Sequence, residues 1–305
     1  MGQGLPWEGV FPALVTPFDQ QGRIDDVGFV TIVERFAGWG VHGLVLSGHN
    51  GESWALRPEE RVHLVGLARQ AAGDRLPIVV GIEAGAAADV VDEAHAVVDA
   101  GADGIMVTPP FFVTTATTQE TITRYEAILD GAGCPVILYN NPRRTQIMLS
   151  LDTSLQLLQH ERAAGIKESV RDLAHLMRMI REVGDAATVF VGPGPFILPG
   201  LLMGARGFIS TGPVELLGRG GVDLYEAVQA GDLERAKPLA YLVTVMYPVL
   251  FSIGTWPAAL KAAMNMLGLP AGVPRPPVLP LDREAMDMLR TSMAELGLLE
   301  GSPVR

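Results

Sequence analysis

Cysteine and lysine are scarce in this chain of 305 residues. Cys134 is the only cysteine, so an intramolecular disulfide cannot form. This fits a reducing compartment, and we expect the protein to be cytoplasmic. Only three lysines occur, at Lys167, Lys237 and Lys261, while the other basic residues are arginines. Lys237 and Lys261 fall in helical, partly polar surroundings that predict no special role for them, so Lys167 is the lysine that needs an explanation.

The chain also lacks a run of basic residues, and its formal net charge is -11 at pH 7. Such a surface cannot neutralise the phosphates of a nucleic acid, so we expect no nucleic-acid partner. Residues 1–18 contain no basic segment followed by an apolar core, so we expect no secretory signal. The His, Asp and Glu residues show no metal-ligand spacing, so we expect no bound metal.

One uncharged stretch, residues 238–260, is long enough to span a bilayer. Pro248, Gly254 and Pro257 interrupt it, and no asymmetry of basic residues flanks it as expected for a membrane span. We therefore predict two buried helices joined near residues 252–256 and no contact with a membrane.

Short apolar runs rich in β-branched residues recur along the first two thirds of the chain, as expected for parallel strands that are covered on both faces. They are residues 9–18, 43–48, 77–82, 104–109, 135–140, 164–169, 188–193 and 207–212. Helical patterns fill the gaps; Phe29, Ile32, Val33 and Phe36, for example, share one helical face.

Eight strand–helix units predict an α/β fold of the (β/α)8 TIM barrel type. A doubly wound sheet is the alternative, but it would carry a glycine-rich dinucleotide loop after an early strand, and the sequence has none. Beyond residue 232 the alternation stops, and helical patterns follow at residues 233–251, 256–267 and 281–297. We predict a catalytic barrel over residues 1–232 and a C-terminal extension of three helices over residues 233–305.

Lys167 lies in the middle of the sixth predicted strand. Side chains alternate along a strand, so Gly165, Lys167 and Ser169 share one face, while Ile166 and Glu168 share the other. If the first face points into the barrel, desolvation lowers the pKa of the ammonium group and yields the neutral amine that attacks carbonyl groups. On the residues alone, a surface lysine on an edge strand is an equally good interpretation.

Polar residues follow several predicted strands, and the active sites of barrel enzymes lie at these strand ends. Glycines flank a loop that could turn backbone N–H groups towards an anion. A tyrosine near an amine could transfer protons, and an arginine pair could bind a carboxylate. Each of these features also has a purely structural explanation: the glycine loop could be an ordinary tight turn, the tyrosine could fill the mouth of the barrel, and the arginines could be solvated. The residues concerned are His49, Asn50, Gly51, Thr108, Tyr139, Arg143, Arg144, Ser210 and Thr211.

Taken in order, these pieces resemble the dihydrodipicolinate synthase / N-acetylneuraminate lyase family over most of the chain. The motifs are Gly48-x-x-Gly51-Glu52-Ser53, Thr108-Pro109, Tyr139-Asn140-x-Pro142 and Gly165-Ile166-Lys167-Glu168.

The resemblance implies specific roles for these residues. Lys167 would form a Schiff base with a 2-keto acid, and Tyr139 would relay protons. The loop with His49, Asn50 and Gly51 would bind the carboxylate of the keto acid, and Arg144 would meet a second carboxylate. Thr108 and Ser210 would complete the substrate site at their strand ends. The resemblance also implies a homo-oligomer, tetramer or dimer, which the uncharged stretch 238–260 supports, because it offers more apolar surface than one-sided packing needs.

The chain departs from the synthase pattern at several of these positions. His49 and Asn50 stand where synthases carry two threonines, one of which belongs to a hydroxyl relay. Pro110 and Phe111 stand where synthases carry a tyrosine pair, and Gln146 replaces a glycine. The Schiff-base residues are intact but the relay is not. His49 could replace the relay as an acid–base group, or it could only pack the loop or pair with the carboxylate.

The pattern therefore favours an aldolase or dehydratase that forms a Schiff base with pyruvate or a 2-keto-3-deoxy acid. Because Lys167 itself would activate the substrate, we expect no cofactor. Condensation of pyruvate with aspartate semialdehyde, as in dihydrodipicolinate synthase, is the alternative reaction. A non-catalytic keto-acid-binding protein is a third interpretation, which the retention of both Lys167 and Tyr139 opposes.

Overall fold

A computed structural model describes residues 7–110, 113–209 and 212–299. Its centre is one sheet of eight parallel strands. The strands are β1 (Gly9–Phe11), β2 (Leu44–Leu46), β3 (Ile78–Ile82), β4 (Gly104–Val107), β5 (Val136–Asn140), β6 (Ala163–Glu168), β7 (Thr188–Val191) and β8 (Gly207–Ile209).

The sheet runs in the order β1-β8-β7-β6-β5-β4-β3-β2, and a parallel bridge between Ala13 and Val45 joins its two edges. The sheet is thus nearly closed, and the predicted (β/α)8 barrel is confirmed. β1 is much shorter than the predicted run 9–18, because Pro12 and Pro17 lack the N–H group that a strand ladder requires.

Helices pack around the barrel and extend beyond it. They are α1 (Asp26–Gly38), α2 (Pro58–Ala72), α3 (Ala87–Asp99), α4 (Thr118–Gly131), α5 (Pro142–Thr145), α6 (Leu151–Leu157), α7 (Leu173–Val183), α8 (Ile197–Leu202), α9 (Gly220–Gln229), α10 (Leu233–Ser252), α11 (Ala258–Met266) and α12 (Arg283–Glu295). α1 buries the predicted face of Phe29, Ile32, Val33 and Phe36. The helix α2 begins at Pro58, as its proline and following acids predict.

The uncharged stretch forms most of α10 and the start of α11, which confirms two helices with a connection near residues 252–256. In the described part of the chain, no helix is long and apolar enough to cross a membrane. Three helices follow residue 232, close to the predicted positions, but the separation into two domains at that residue stays a prediction.

The strands separate two apolar cores. Alternate side chains fill the inside of the barrel, and the others pack against the surrounding helices. The inner core consists of Trp7, Phe11, Ala13, Val45, Val79, Met106, Ile137, Tyr139, Ala164, Phe190 and Ile209. Because these side chains fill the inside of the barrel, we expect the substrate site at the ends of the strands.

Candidate active site

A cavity of about 1310 Å³ opens at the carboxyl ends of the strands. Five predicted site residues line it, namely His49, Thr108, Tyr139, Arg143 and Arg144. Three others lie next to residues that line the cavity. Asn50 and Gly51 follow His49 in the loop after β2, and Lys167 lies beside Tyr139 at the end of β6. Ser210, Thr211 and Phe111 lie outside the described residues.

Lys167 points into the barrel, because it pairs with Tyr139 and Phe190, whose side chains belong to the inner core; the sequence alone had left this orientation open. Its Nζ lies 4.2 Å from the centre of the Tyr139 ring, and the backbones of the two residues pair across β5 and β6. Val136 pairs with Ala163 but Ile137 pairs with Gly165, so β6 contains one extra residue at that point. Such a bulge shifts the alternation of the strand by one residue and so fixes which face carries Lys167.

Burial gives Lys167 an unusual charge state. The residue is only 1% exposed. Desolvation lowers the pKa of its ammonium group to about 7, against the opposing negative charges of Glu215 and Glu83. About half of the amine is then neutral at pH 7, compared with roughly one part in a few thousand for an exposed lysine. The site therefore supplies a nucleophilic amine at neutral pH.

Tyr139 lines the cavity and contacts Lys167 through its ring. Its hydroxyl accepts a hydrogen bond from Nδ2 of Asn141 at 2.8 Å. Burial raises the pKa of Tyr139 to about 12, and the negative charge of Glu83 acts in the same direction. At neutral pH the residue is thus a neutral phenol, which can donate a proton but has little capacity to remove one.

His49 lies in an aromatic row at the mouth of the cavity. Its ring is parallel to that of Trp256, with centroids 6.0 Å apart, and tilted against that of Trp54 at 5.3 Å. Phe251 stacks on the other side of Trp256 at 4.2 Å, and Tyr247 follows it at 4.6 Å. Burial, together with the positive charges of Arg144 and Lys167, holds the pKa of His49 well below its usual value.

Side-chain hydrogen bonds and close backbone packing hold the loop after β2 in place. The side-chain amide of Asn50 donates to the carbonyl of Ala13 at 3.0 Å and to Glu215 at 3.3 Å, so it anchors the loop. A Cβ on Gly51 would lie 2.9 Å from the carbonyl oxygen of Leu14, so only glycine fits there. Because the Asn50 amide is engaged, backbone N–H groups are the donors through which this loop can meet a carboxylate.

The expectation that Lys261 has ordinary helical surroundings is wrong. Lys261 is 1% exposed, and its Nζ forms an ion pair with Oε1 of Glu52 at 2.5 Å. The same ammonium donates to the carbonyl oxygens of Thr16 and Val273. Lysine fits here because Glu52, in the loop after β2, is fully buried and needs a counter-charge. Lys237, in contrast, is exposed on α10, as predicted.

Arginines form one side of the cavity. Arg143 and Arg144, on the short helix α5, line it together with Arg171. Arg171 also donates to the hydroxyl of Tyr247 at 3.1 Å and covers its ring. This cationic wall is the local positive site that an anionic substrate needs in a chain with an overall negative charge.

The other face of β6 carries a structural cluster. Glu168 accepts hydrogen bonds from Nδ2 of Asn140 at 3.0 Å and from the backbone N–H of Val170 at 2.8 Å. It also contacts Nε2 of His175 at 3.2 Å, and this hydrogen bond raises the pKa of His175. The cluster fixes the ends of β5 and β6, which carry Tyr139 and Lys167.

Glu83 is a cavity residue that no sequence motif singles out. It directly follows β3, and this position at a strand end is the one signal that could have identified it. Burial raises the pKa of Glu83, while the side chain of Ser53 and the positive charges of Arg61, Arg144 and Lys167 oppose the shift. No three His, Cys, Asp or Glu side chains of the described residues come together as metal ligands would.

Comparison with known proteins assigns this arrangement to a family. Residues 6–296 match the dihydrodipicolinate synthetase family. The chain is 33% identical over 302 residues to 4-hydroxy-tetrahydrodipicolinate synthase of Methanopyrus kandleri, with 97% of this chain and 98% of that protein covered. It is 31% identical to a DapA-like lyase of Rhizobium meliloti, with 96% and 97% covered.

A solved structure of the same family gives the match in three dimensions. It is a prophage protein of E. coli K12 from the dihydrodipicolinic acid synthase family, in complex with pyruvate. The TM-score is 0.90 at 27% sequence identity, and the match covers 96% of this chain and 99% of that chain.

Proposed function

The chain belongs to the dihydrodipicolinate synthetase family, and we propose that it is a lyase that forms a Schiff base between Lys167 and a 2-keto acid. The observation that carries the proposal is the buried amine of Lys167, with its pKa near 7, against the ring of Tyr139. The pyruvate bound to the E. coli relative supports a short keto acid as the substrate.

The proposed chemistry follows from the properties of an imine. The neutral amine of Lys167 attacks the C2 carbonyl to give a carbinolamine, and protonation of its hydroxyl followed by loss of water gives an iminium ion. This ion withdraws electrons, so C3 becomes acidic or the C3–C4 bond can break, and each path leads to an enamine. Because Lys167 is only 1% exposed, a side chain at the cavity wall has to move before the keto acid reaches the amine.

Aldol cleavage, aldol condensation and dehydration share these steps, so the distal part of the substrate selects among them. We favour cleavage or dehydration of a 2-keto-3-deoxy acid, because His49 replaces the threonine of the synthase hydroxyl relay, and Pro110 and Phe111 replace the tyrosine pair that completes it. A panel of aldehydes and 3-deoxy-2-keto sugar acids, with pyruvate consumed or formed as the readout, tests this choice. Thermal stabilisation by these ligands without turnover would instead identify a binding protein.

The synthase reaction is the second candidate, and the name of the Methanopyrus kandleri relative favours it. A coupled assay with pyruvate and aspartate semialdehyde decides between the two. Efficient turnover in that assay would overturn the preference for cleavage or dehydration of a 2-keto-3-deoxy acid.

We propose that the keto-acid carboxylate binds the backbone N–H groups of Asn50 and Gly51, and that Arg144 binds a second charged group of the substrate. Thr108 lines the cavity between them, and Ser210 stays a predicted substrate contact. The covalent imine on Lys167 activates the substrate without a separate cofactor. A cytoplasmic site of action stays a prediction that the single cysteine supports.

His49 is proposed to exchange the proton of the substrate hydroxyl at C4. Its low pKa makes it neutral at pH 7, so it can accept this proton. We expect His49→Ala to lower kcat by about a hundredfold, the usual effect of losing an acid–base group. The measurement is steady-state kinetics with the best substrate of the panel. If KM rises and kcat stays unchanged, His49 only binds or packs against Trp256.

We propose that the protein assembles as a homo-oligomer. Tyr241, on the outer side of α10, is 64% exposed, and Leu202 and Met203 at the end of α8 are also exposed. Large exposed apolar side chains of this kind favour contact with another subunit. Light scattering at micromolar concentration is expected to give a mass of two or four times 32.5 kDa. A mass of one chain would contradict the proposal.

A further inference from the structure

Glu83 lies at the same height in the barrel as Tyr139 and Lys167, as the register of the strands shows. Ile82 pairs with Val107, and Val107 pairs with Leu138. One residue further along each strand, Glu83 is therefore level with Thr108 and Tyr139, and Tyr139 pairs with Lys167. On β3, Val79 belongs to the inner core, so alternation turns Glu83 inward as well.

Among the described residues, no basic side chain forms an ion pair with Glu83, although Arg61 lies near enough for its charge to act on it. Arg61 is already engaged, by Glu93 at 3.0 Å and by the carbonyl of Ser53 at 2.8 Å. The charge of Glu83 acts on both Lys167 and Tyr139, which places its carboxyl within electrostatic reach of both. Burial raises the pKa of Glu83, so its carboxylate is a stronger base than that of an exposed glutamate.

The proposed reaction needs a base that the other residues do not supply. Interconversion of the iminium ion and the enamine requires a group that removes a proton from C3 and later returns it. Tyr139 has a pKa of about 12 and is a poor base at pH 7. The ring of His49 lies between two tryptophans at the mouth of the cavity. The carboxylate of Glu83, at the same height in the barrel as Lys167, can act as this base.

We propose that Glu83 is the catalytic base that carries the proton between C3 of the bound keto acid and solvent. This role rests on the proposed Schiff base at Lys167. The carboxylate of Glu83 takes a proton from C3, the C3–H electrons form the C2=C3 bond, and the iminium nitrogen becomes neutral. In the reverse direction the carboxylic acid returns a proton to C3 and restores the iminium ion.

Hydrogen exchange of pyruvate tests the role without any knowledge of the second substrate. In D₂O the wild-type protein is expected to exchange the methyl protons of pyruvate, as followed by ¹H NMR. We expect Glu83→Gln to lower the exchange rate by about a hundredfold or more, the usual effect of losing an acid–base group. The fraction of protein trapped with pyruvate by borohydride at equilibrium is expected to stay the same, which also shows that the variant is folded.

Two further variants sharpen the result. Asp92→Asn removes a carboxylate from the exposed rim of the same cavity and is expected to leave exchange unchanged. Added formate is expected to restore part of the exchange in Glu83→Gly, where it can occupy the space of the lost carboxyl. Wild-type exchange in Glu83→Gln would overturn the role of Glu83. Failure of the wild-type protein to form any pyruvate adduct would instead overturn the proposed Schiff base.

Discussion

Replacing Lys167 with methionine is expected to abolish the covalent adduct with pyruvate. After treatment with pyruvate and borohydride, the wild-type protein gains the mass of one reduced pyruvyl group, located on the peptide that contains Lys167. The variant gains none, and its turnover falls by at least about a thousandfold, because no other residue supplies the nucleophile. Lys237→Met removes an exposed lysine of α10 and is the matched control, which keeps the adduct.

The rate of adduct formation also reports the charge state of Lys167. Only the neutral amine reacts, and the pKa of Lys167 is lowered to about 7. The rate is therefore expected to rise with pH up to about 7 and to level off above about pH 8. A rise that continues towards pH 10 would show an ordinary, solvated lysine and would contradict the burial of the amine. An adduct that persists in Lys167→Met would assign the chemistry to another residue.

Replacing Lys261 with methionine is expected to destabilise the protein by about 3–5 kcal/mol, because it leaves the buried charge of Glu52 without its partner. Both side chains are almost fully buried, so solvent screens this loss very little. The free energy of unfolding in urea, at one fixed protein concentration, measures the effect. The exposed pair of Lys237 and Glu234 provides the control, and Lys237→Met should cost less than about 1 kcal/mol.

A double variant separates the ion pair from simple loss of packing. Glu52→Gln together with Lys261→Met removes both charges, so it is expected to be more stable than Lys261→Met alone. If Lys261→Met unfolds at the same urea concentration as the wild-type protein, the contact between α11 and the loop after β2 contributes nothing to stability.

The fold could be predicted because its signals are local and repeated. Eight apolar runs separated by helical patterns specify a barrel, and the runs that became β3 and β5 lie within one residue of the observed strands. The length of β1 was overestimated, because its apolar run continues through two prolines, which lack the N–H group for backbone hydrogen bonds between strands. Alternation predicted which residues share a face with Lys167, but it did not predict that this face points into the barrel, because the bulge that fixes it depends on pairing with β5.

The rest of the site depends on contacts between distant parts of the chain. Glu52 and Lys261 are far apart in sequence, and neither has a pattern that indicates burial. Glu83 follows a strand in an otherwise ordinary connection to α3, so its approach to Tyr139 and Lys167 emerges only from the register of the sheet. His49 was identified as a departure from the family motif, but its place between two tryptophans required the packing of the connection between α10 and α11 against the loop.

The tryptophans of the aromatic row at the cavity give the protein an intrinsic fluorescence signal for ligand binding. Of the four tryptophans in the chain, Trp54 and Trp256 flank His49 and line the cavity. Trp7 belongs to the inner core of the barrel, and Trp39 packs on Phe36 at the end of α1. Indole emission responds to the polarity and the quenching groups around the ring. Entry of a ligand therefore changes the emission of one pair of tryptophans while the other pair provides a constant background, so binding can be followed by intrinsic fluorescence without a dye.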